Sequence, residues 1–361
     1  MKRVITGMAA ALLVAVLVFP FKADAVSAKN AILLDAQTGR VLFEKNADQQ
    51  ALIASTTKIM TALLICEQCN VLDRMRIPAE AVGIEGSSMY LRKGEVLTIQ
   101  DLLYGLMLRS GNDAAVALAI YCGGTVEGFV QMMNDKAHLL RLDETHFENP
   151  HGLDSAAHYS TAADMAKLAA YAMKNPVFCK TVSTRSITIG ERVLRNHNKL
   201  LWRVEGVDGV KTGFTKAAGR ILVSSATRQA RRLIAVTMND PNDWQDHEMM
   251  IEKGFSDFTV YQIVAKGELL GSVEVAGGQY ASVALLADDG FSYPLLIDEQ
   301  PQIIIQEPGF VYAPTVAGQS AGVAKVCIDG KVIGHVPLVY GDTVEQIEEL
   351  KRPMWHRLFG G

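Results

Sequence analysis

The chain has 361 residues, of which 49% are hydrophobic and 20% are charged, and its formal net charge at pH 7 is −4. At roughly 150 residues per domain, this length predicts two domains with enough apolar residues for a substantial core. The mild acidity and the lack of a Lys/Arg run with interleaved aromatic residues exclude nucleic acid as a partner.

The N-terminal residues 1–25 have the layout of a secretory signal peptide. Lys2 and Arg3 precede an apolar stretch over residues 8–19, and an Ala-x-Ala pattern ends at Ala25. An uncleaved anchor helix is the alternative, but the apolar stretch is shorter than the about 20 residues that a membrane span needs. The layout predicts cleavage after Ala25 and an exported protein, at the outer face of the cytoplasmic membrane or in the cell wall.

Short strands and helices alternate through the next part of the chain. Residues 30–44 have the pattern of two strands around a turn, and the apolar residues of 55–69 recur at helical spacing. Two more helices are predicted on either side of a polar break at 110–112, and a further helix ends before Pro176. Two antiparallel strands, preceded by a glycine-rich edge, are then predicted at 220–227 and 232–238.

The character of the sequence changes beyond about Phe258. The chain there consists of short alternating runs separated by glycine, proline and aspartate, which is typical of a small all-β domain. We therefore expect a mixed α/β domain over residues 26–258 and a β-rich domain over residues 259–341.

The last segment, residues 342–361, has a different pattern. Its apolar residues recur at steps of three and four and cations occupy other faces, as in a helix that lies in a membrane interface. Pro353 and three glutamates weaken this prediction, and a helix packed on the β-rich domain or a frayed end is the alternative. The pattern predicts an amphipathic tail that anchors the protein to a membrane surface. The apolar positions are Val344, Ile347, Leu350, Met354 and Leu358.

The cysteines do not indicate a disulfide framework, because there are five of them and five is an odd number. Cys66 and Cys69 have the spacing of a redox or zinc motif, but they lie in a predicted helix without a second cysteine pair or a histidine at ligand spacing. We expect them to be small apolar core residues. The sequence also lacks an H-E-x-x-H motif, so we expect neither a metal nor another cofactor.

Ser55 and Lys58 form an S-x-x-K motif at the start of an apolar run. On a helix, residues three apart share a face, so the lysine is placed to deprotonate the serine if its own pKa is lowered. A helix cap followed by a surface lysine would give the same pattern. The motif alone is too common to decide between these interpretations.

Two further motifs change that balance. Ser110 and Asn112 form an S-x-N motif in the break between two predicted helices, and a K-T-G motif begins at Lys211 beside the later strands. S-x-x-K, S-x-N and K-T-G in this order are the signature of serine acyl-enzymes that act on penicillin-like and D-Ala-D-Ala substrates. The ordered set, in a chain with an export signal, predicts this chemistry.

The chain resembles the low-molecular-mass penicillin-binding proteins, which are serine-type D-Ala-D-Ala carboxypeptidases. The resemblance covers nearly the whole mature chain and is weakest at the ends. It implies a serine β-lactamase/transpeptidase-like α/β (α+β) catalytic domain followed by a small all-β C-terminal domain. The matching segments are IASTTKIMTALL (53–64), LMLRSGNDAAVALA (106–119), HFENPHGLDSAAHYSTAADMAKLA (146–169), GVDGVKTGFTKAAGRILVSSA (206–226) and APTVAGQSAGVAKVCIDGKVIGHVPLV (313–339).

The resemblance implies a catalytic role for each residue of the first two motifs. Ser55 is expected to be the nucleophile and Lys58 its general base. Ser110 and Asn112 are expected to complete the proton relay and to hold the substrate amide. No cofactor is implied, and the expected partners are peptidoglycan stem peptides that end in D-Ala-D-Ala, with β-lactams as covalent inhibitors.

The third motif is implied to bind substrate. Lys211 and Thr212 are expected to receive the terminal carboxylate, since a free carboxylate favours a fixed cation. The backbone N–H of Phe214 is expected to join that of Ser55 in an oxyanion hole. Gly213 is expected to let the substrate backbone approach the strand closely.

Two other features are expected to have no catalytic role. His151 lies in the matched loop segment, where we expect it to serve loop structure rather than act as a base. Residues 318–322 fit a G-x-S-x-G pattern around Ser320, but a nucleophile elbow requires a strand before the serine and a helix after it. An alternating strand pattern follows Ser320 instead.

Of three alternative functions, the first is disfavoured and the other two remain open at this point. A class A β-lactamase would carry a glutamate in an E-x-x-L-N setting, which this sequence lacks between its second and third motifs. A D,D-endopeptidase or transpeptidase would use the same residues on a different acceptor. A non-hydrolytic β-lactam-binding protein would keep the acylation residues and lack turnover.

Overall fold

The computed structural model describes residues 26–306 and 309–348 and divides the chain into two compact units, one ending at Ile251 and the other beginning at Glu252. The predicted signal peptide and residues 349–361 of the predicted tail lie outside the described residues. The domain boundaries given above therefore stay predictions at both ends of the chain.

The first unit is built on a five-stranded antiparallel sheet with the order β2-β1-β9-β8-β7. The predicted hairpin of residues 30–44 corresponds to β1 and β2, the predicted strand pair to β8 and β9, and the glycine-rich edge to β7. The strands are β1 (Asn30–Asp35), β2 (Val41–Lys45), β3 (Arg74–Arg76), β4 (Val96–Thr98), β5 (Ser186–Ile189), β6 (Arg192–Arg195), β7 (Val207–Thr215), β8 (Gly219–Arg228) and β9 (Arg231–Met238).

Helices cover this sheet and bury α1 among them. α5 packs on β1 and β9, α6 packs on β7, and α1 contacts α2, α3, α4 and α5. α7 crosses the division between the units. The helices are α1 (Lys58–Gln68), α2 (Ile99–Leu108), α3 (Asn112–Gly123), α4 (Val126–Leu139), α5 (Ala162–Ala172), α6 (Pro176–Ser183) and α7 (Asp243–Ser256).

Local sequence signals set the helix ends. Thr98 and Asp101 form a reciprocal capping box at the start of α2. The helix predicted before Pro176 is α5, which ends at Ala172, and Pro176 itself opens α6 behind an Asn175 cap. A proline at the first position costs no hydrogen bond, so the same residue separates the two helices.

The second unit is β-rich, as predicted. It contains a six-stranded sheet with the order β14-β16-β17-β12-β11-β15 and a separate β10–β13 pair. All neighbouring strands are antiparallel except β11 and β15. The strands are β10 (Thr259–Val264), β11 (Leu269–Ala276), β12 (Ser282–Ala287), β13 (Phe291–Leu295), β14 (Gln302–Gln306), β15 (Phe310–Tyr312), β16 (Ser320–Ile328) and β17 (Lys331–Tyr340).

Two sequence expectations for this unit can be compared with the structure. Ser320 is the first residue of β16, which is followed by β17, so it does not sit between a strand and a helix. Val344 was predicted to face a membrane from a helical tail, but it is only 1% exposed and forms an isolated bridge with Thr315. Its place in the core of the unit excludes it from a membrane contact and moves the start of any anchoring tail beyond it.

No single helix among the described residues is long and apolar enough to cross a membrane; the bent pair of α3 and α4, which meet at 83°, passes that test by length and composition alone. Within residues 26–306 and 309–348, no group of three or more His, Cys, Asp or Glu side chains is arranged to hold a metal ion. The five cysteines are free thiols.

Candidate active site

Ser55 lies in a 3₁₀ turn, Ala54–Thr57, that leads directly into α1. The sequence predicted an α-helix from Ser55 onward, but the α-helix begins at Lys58. The tighter turn is entered through Ala54, whose φ of 44° is left-handed and unusual for a residue with a side chain. As a result, the serine is presented ahead of the helix N-terminus, where backbone N–H groups favour developing negative charge.

The 3₁₀ turn packs against the edge strand β7 at Gly213. A Cβ atom at this glycine would lie 3.3 Å from the Ser55 nitrogen and 3.3 Å from the Ile53 oxygen. The sequence led us to expect that Gly213 makes room for the substrate backbone, but the structure shows a different neighbour. Its missing side chain faces the nucleophile turn, so glycine allows the turn and the strand to approach each other closely.

Lys58 is fully buried beneath Ser55 and makes three polar contacts. Its Nζ lies 3.0 Å from Ser55 Oγ, 2.8 Å from Asn112 Oδ1 and 2.5 Å from the carbonyl oxygen of His151. A neutral amine has two N–H donors and one lone pair. Because two of the contacts are pure acceptors, they take both N–H groups and direct the lone pair at the serine hydroxyl.

The surroundings of Lys58 favour its neutral form. Burial lowers its pKa well below the ordinary value, the charge of Lys211 lowers it further, and Asp113 opposes both by raising it. A buried amine that has lost its proton and contacts a serine hydroxyl is placed to act as a general base.

The loop that supplies the His151 carbonyl is fixed against the nucleophile turn. Thr61 Oγ1 donates a hydrogen bond to the Pro150 oxygen at 2.6 Å, and Thr57 Oγ1 lies 2.7 Å from His158 Nε2. Gly152 has a φ of 90°, and a Cβ atom there would lie 1.9 Å from the Ala54 oxygen. Only glycine fits this position, so the loop can press its backbone onto the turn.

The His151 side chain does not contact Ser55 or Lys58 through a hydrogen bond. Its Nδ1 accepts a hydrogen bond from the Leu153 N–H within the same loop. Burial, followed by the charge of Lys58, lowers the pKa of His151 to about 4. His151 therefore has a structural role, as expected. In addition, its carbonyl oxygen accepts a hydrogen bond from Lys58, which the sequence could not indicate.

The S-x-N motif lies in the break between α2 and α3, as predicted. Ser110 has a left-handed φ of 60°, and its buried Oγ has no hydrogen-bond partner among the described residues. Asn112 opens α3, and its Nδ2 donates a hydrogen bond to the Glu85 oxygen at 2.5 Å. Both amide atoms of Asn112 are thus engaged, by Lys58 and by Glu85, and hold the lysine rather than face the cleft.

Asp113, the next residue, fixes the segment that faces α3. Its carboxylate accepts hydrogen bonds from the backbone N–H groups of Met89 and Leu91 at 3.1 and 3.0 Å and from Ser88 Oγ at 2.6 Å. The Asn112 N–H donates a hydrogen bond to the Ser87 oxygen at 2.7 Å. These bonds place Ser87 at the border of the site.

Lys211 lies within β7 and is 2% exposed. Its Nζ donates a hydrogen bond to the Thr212 oxygen at 2.7 Å, and burial lowers its pKa to about 7. Among the described residues it has no ion-pair partner. An incoming anion would therefore find a buried cation that no carboxylate of the described residues neutralises.

An open cleft of about 300 Å³ brings several predicted residues together. Ser55, Ser110, Thr212, Gly213 and Phe214 line it. The side chains of the other three predicted residues are buried outside this lining: Lys58 contacts Ser55, Asn112 contacts Lys58, and Lys211 contacts the Thr212 oxygen.

The cleft also has a wall that the sequence did not indicate. Arg220 on β8 donates to both oxygens of Asp243 at 2.6 and 2.9 Å, and its guanidinium lies 5.8 Å from the ring centroid of Trp244. Ser87, His197 and Ile221 complete the lining. These residues come from distant segments with no recognisable motif, and only the fold brings them to Ser55.

Comparison with known proteins places this geometry in a family. The family model described as D-alanyl-D-alanine carboxypeptidase matches residues 18–242. The chain belongs to this family of serine peptidases. A model of the C-terminal domain of penicillin-binding protein 5 matches residues 258–346, which lie in the β-rich unit.

Relatives of the family match over most of this chain. D-alanyl-D-alanine carboxypeptidase DacF of Bacillus subtilis is 33% identical over 91% of this chain and 89% of its own length. DacD of Escherichia coli is 34% identical over 88% of this chain and 86% of its own length. The crystal structure of penicillin-binding protein 5 from Haemophilus influenzae superposes with a TM-score of 0.76 at 31% identity and covers 89% of this chain and 98% of that chain. The expected fold, a family catalytic domain followed by an all-β domain, is confirmed.

Proposed function

We propose that this carboxypeptidase-family enzyme removes the terminal D-Ala from peptidoglycan stem peptides through an acyl-enzyme on Ser55. The observation that carries the proposal is the set of contacts at Lys58 Nζ. Two acceptors, Asn112 Oδ1 and the His151 oxygen, leave its lone pair for the Ser55 hydroxyl.

The acylation step follows from these positions. Ser55 Oγ attacks the carbonyl carbon of the penultimate D-Ala while its proton passes to Lys58 Nζ. The oxyanion that forms lies between the backbone N–H groups of Ser55 and Phe214, at the point where β7 meets the nucleophile turn. The C–N bond then breaks, and the leaving nitrogen takes a proton through Ser110, whose hydroxyl has no other partner among the described residues. Water later hydrolyses the ester.

The buried cation beside the cleft, Lys211, favours a substrate with a free C-terminal carboxylate. Lys211 is buried and has no ion-pair partner among the described residues. Thr212, the next residue, lines the cleft. A D,D-endopeptidase or transpeptidase would use the same cation, because the cation recognises the peptide that acylates Ser55 and not the acceptor. A β-lactam places its own carboxylate in the same position, which is why we also propose β-lactams as covalent inhibitors.

A comparison of free and amidated substrates tests this proposal. A pentapeptide ending in D-Ala-D-Ala should release D-Ala, and its C-terminal amide should react far more slowly. Lys211→Ala should lower kcat/KM for the free acid. The lost transition-state stabilisation should be on the order of 2–5 kcal/mol, by analogy with truncated buried charge pairs. For the amidated substrate, Lys211→Ala should lower kcat/KM only slightly further. If the losses in kcat/KM from amidation and from Lys211→Ala were additive, a direct contact between Lys211 and the substrate carboxylate would be refuted.

We also propose that the protein acts outside the cytoplasm, with residues 1–25 as its signal peptide, residues 26–258 as the catalytic domain and the β-rich domain of 259–341 behind it. The end of the chain is proposed as the membrane anchor. Since Val344 is buried in the β-rich unit, the anchoring part must begin after Ile347, whose N–H still donates to the Gly277 oxygen.

Removal of residues 349–361 tests the anchor without damaging the second unit. The truncated mature protein is expected to lose sedimentation with anionic vesicles, because the remaining chain has no amphipathic tail. Its hydrolysis of a soluble pentapeptide should stay at the full-length rate. Equal sedimentation of both forms would exclude the anchor.

A further inference from the structure

A cationic aromatic surface adjoins the catalytic cleft. It is formed around Trp202, which is 41% exposed, and it borders a depression of about 620 Å³. We call this surface the Trp202 platform. Its members are Arg185, Arg195, His197, Lys199, Trp202 and Arg203.

The platform is joined to the catalytic cleft. His197 lines both the cleft at Ser55 and the depression at Trp202. Lys199 lies 6.0 Å from the ring centroid of Trp244, a residue of the cleft wall. A substrate that extends beyond the cleft on this side therefore reaches Trp202.

The platform is a built feature rather than a flexible surface loop. Asn196 is buried, and its Nδ2 donates to the Val182 and Thr184 oxygens at 3.1 Å each. Asn198 is also buried, and its Nδ2 donates to the Gly209 oxygen in β7 at 2.8 Å. These two anchors hold the segment that carries the exposed side chains, and Asn198 ties it to β7, the strand that carries the K-T-G motif.

The charges of the platform are not balanced locally. The guanidinium groups of Arg195 and Arg185 lie 5.2 and 6.0 Å from the ring centroid of Trp202, and neither makes an ion pair within the described residues. Arg203 approaches Glu248 only to 3.6 Å, between two half-exposed side chains. In a chain with a net charge of −4, such a group of uncompensated cations is a local exception.

We propose that the Trp202 platform binds the anionic glycopeptide part of the peptidoglycan strand that carries the scissile D-Ala-D-Ala. The inference rests on the function proposed above. An exposed indole offers a flat apolar face to a sugar ring, and flanking guanidinium groups bind carboxylates, of which stem peptides carry several. The continuity with the cleft through His197 favours the remainder of the substrate over an unrelated anion.

Two substrates separate the platform from the catalytic centre. The first is an N-acylated tripeptide that ends in D-Ala-D-Ala, which is too short to leave the cleft. The second is purified peptidoglycan that carries pentapeptide stems. Trp202→Ala should leave kcat/KM for the tripeptide within about twofold of wild type and lower D-Ala release from the polymer by about tenfold, the usual cost of truncating an aromatic anchor.

The cations have their own variant and control. The double variant Arg185→Ala/Arg195→Ala keeps the indole and should show the same polymer-specific loss, and its remaining rate should depend less on salt than that of wild type. Arg74→Ala removes an exposed cation on β3 and should behave as wild type on both substrates. If Trp202→Ala does not fold, this double variant decides.

Each outcome separates the two proposals. Equal losses on both substrates, or no loss on the polymer, would overturn the platform while leaving the catalytic proposal intact. If these variants lost binding to anionic vesicles but hydrolysed the polymer at the wild-type rate, the platform would bind a lipid surface and the proposed glycopeptide site would be overturned. A wild-type protein that releases no D-Ala from the tripeptide would instead refute the proposed function itself.

Discussion

Ser55→Ala is expected to abolish covalent labelling by penicillin and to lower D-Ala release by roughly 10⁶-fold, the scale seen when a serine nucleophile is removed from a hydrolase. Ser55 Oγ is the atom aligned with the Lys58 lone pair, and no second hydroxyl among the described residues contacts that amine. The mutation removes one half-buried oxygen, so the fold should persist. Intact-mass spectrometry after incubation with penicillin measures the adduct.

Ser320 provides the matched control for this experiment. It lies at the centre of the G-x-S-x-G pattern but begins β16, an exposed position in an antiparallel sheet. Ser320→Ala should label at the wild-type rate. An adduct that persists in Ser55→Ala and maps to Ser320 would overturn the assignment of the nucleophile.

The parts of this site that could be predicted from the sequence are those carried by side chains in local patterns. The S-x-x-K, S-x-N and K-T-G motifs each occupy one short segment, and the helix break at Ser110 and the hairpin of β1 and β2 follow from turn residues and periodicity. Their order along the chain was enough to indicate the chemistry.

The parts that could not be predicted are carried by the backbone or by the fold. The carbonyl of His151 orients Lys58, but a carbonyl is common to every residue and leaves no signal in the sequence. Gly152 lets the His151 loop approach the nucleophile turn, and Gly213 lets β7 approach the same turn, but both roles are visible only when their neighbours in space are known. Arg220 and Trp244 reach the cleft from β8 and α7, and no local pattern relates them to Ser55.

The same distinction applies to the lysine pKa values, since Lys58 and Lys211 are remote in sequence and coupled in space. The charge of Lys211 is the second largest cause, after burial, of the lowered pKa of Lys58. Catalysis at neutral pH thus requires opposite states of two buried lysines. Lys58 must be neutral to accept the serine proton, and Lys211 must be charged to hold a carboxylate.

The pH profile of kcat/KM should report both lysines in the free enzyme. A lysine is charged below its pKa and neutral above it. Activity should therefore fall on the acid side as Lys58 takes up a proton. It should also fall on the alkaline side as Lys211, whose pKa is about 7, loses its proton. Above that point, kcat/KM for a free-acid substrate should decrease about tenfold per pH unit.

Lys211→Arg isolates the alkaline limb of this profile. Arginine keeps its charge to a pH above 12, so the decline above about pH 7 should disappear while the acid limb remains. Lys93→Arg makes the same substitution at an exposed position and should leave the profile unchanged. Position 211 is only 2% exposed, and arginine is larger than lysine. An amidated substrate therefore gives a second measurement that uses the wild-type protein. Without a carboxylate to bind, the amide should show no alkaline decline near pH 7. A decline that is identical for both substrates and survives in Lys211→Arg would assign the alkaline limb to another group and remove Lys211 from carboxylate recognition.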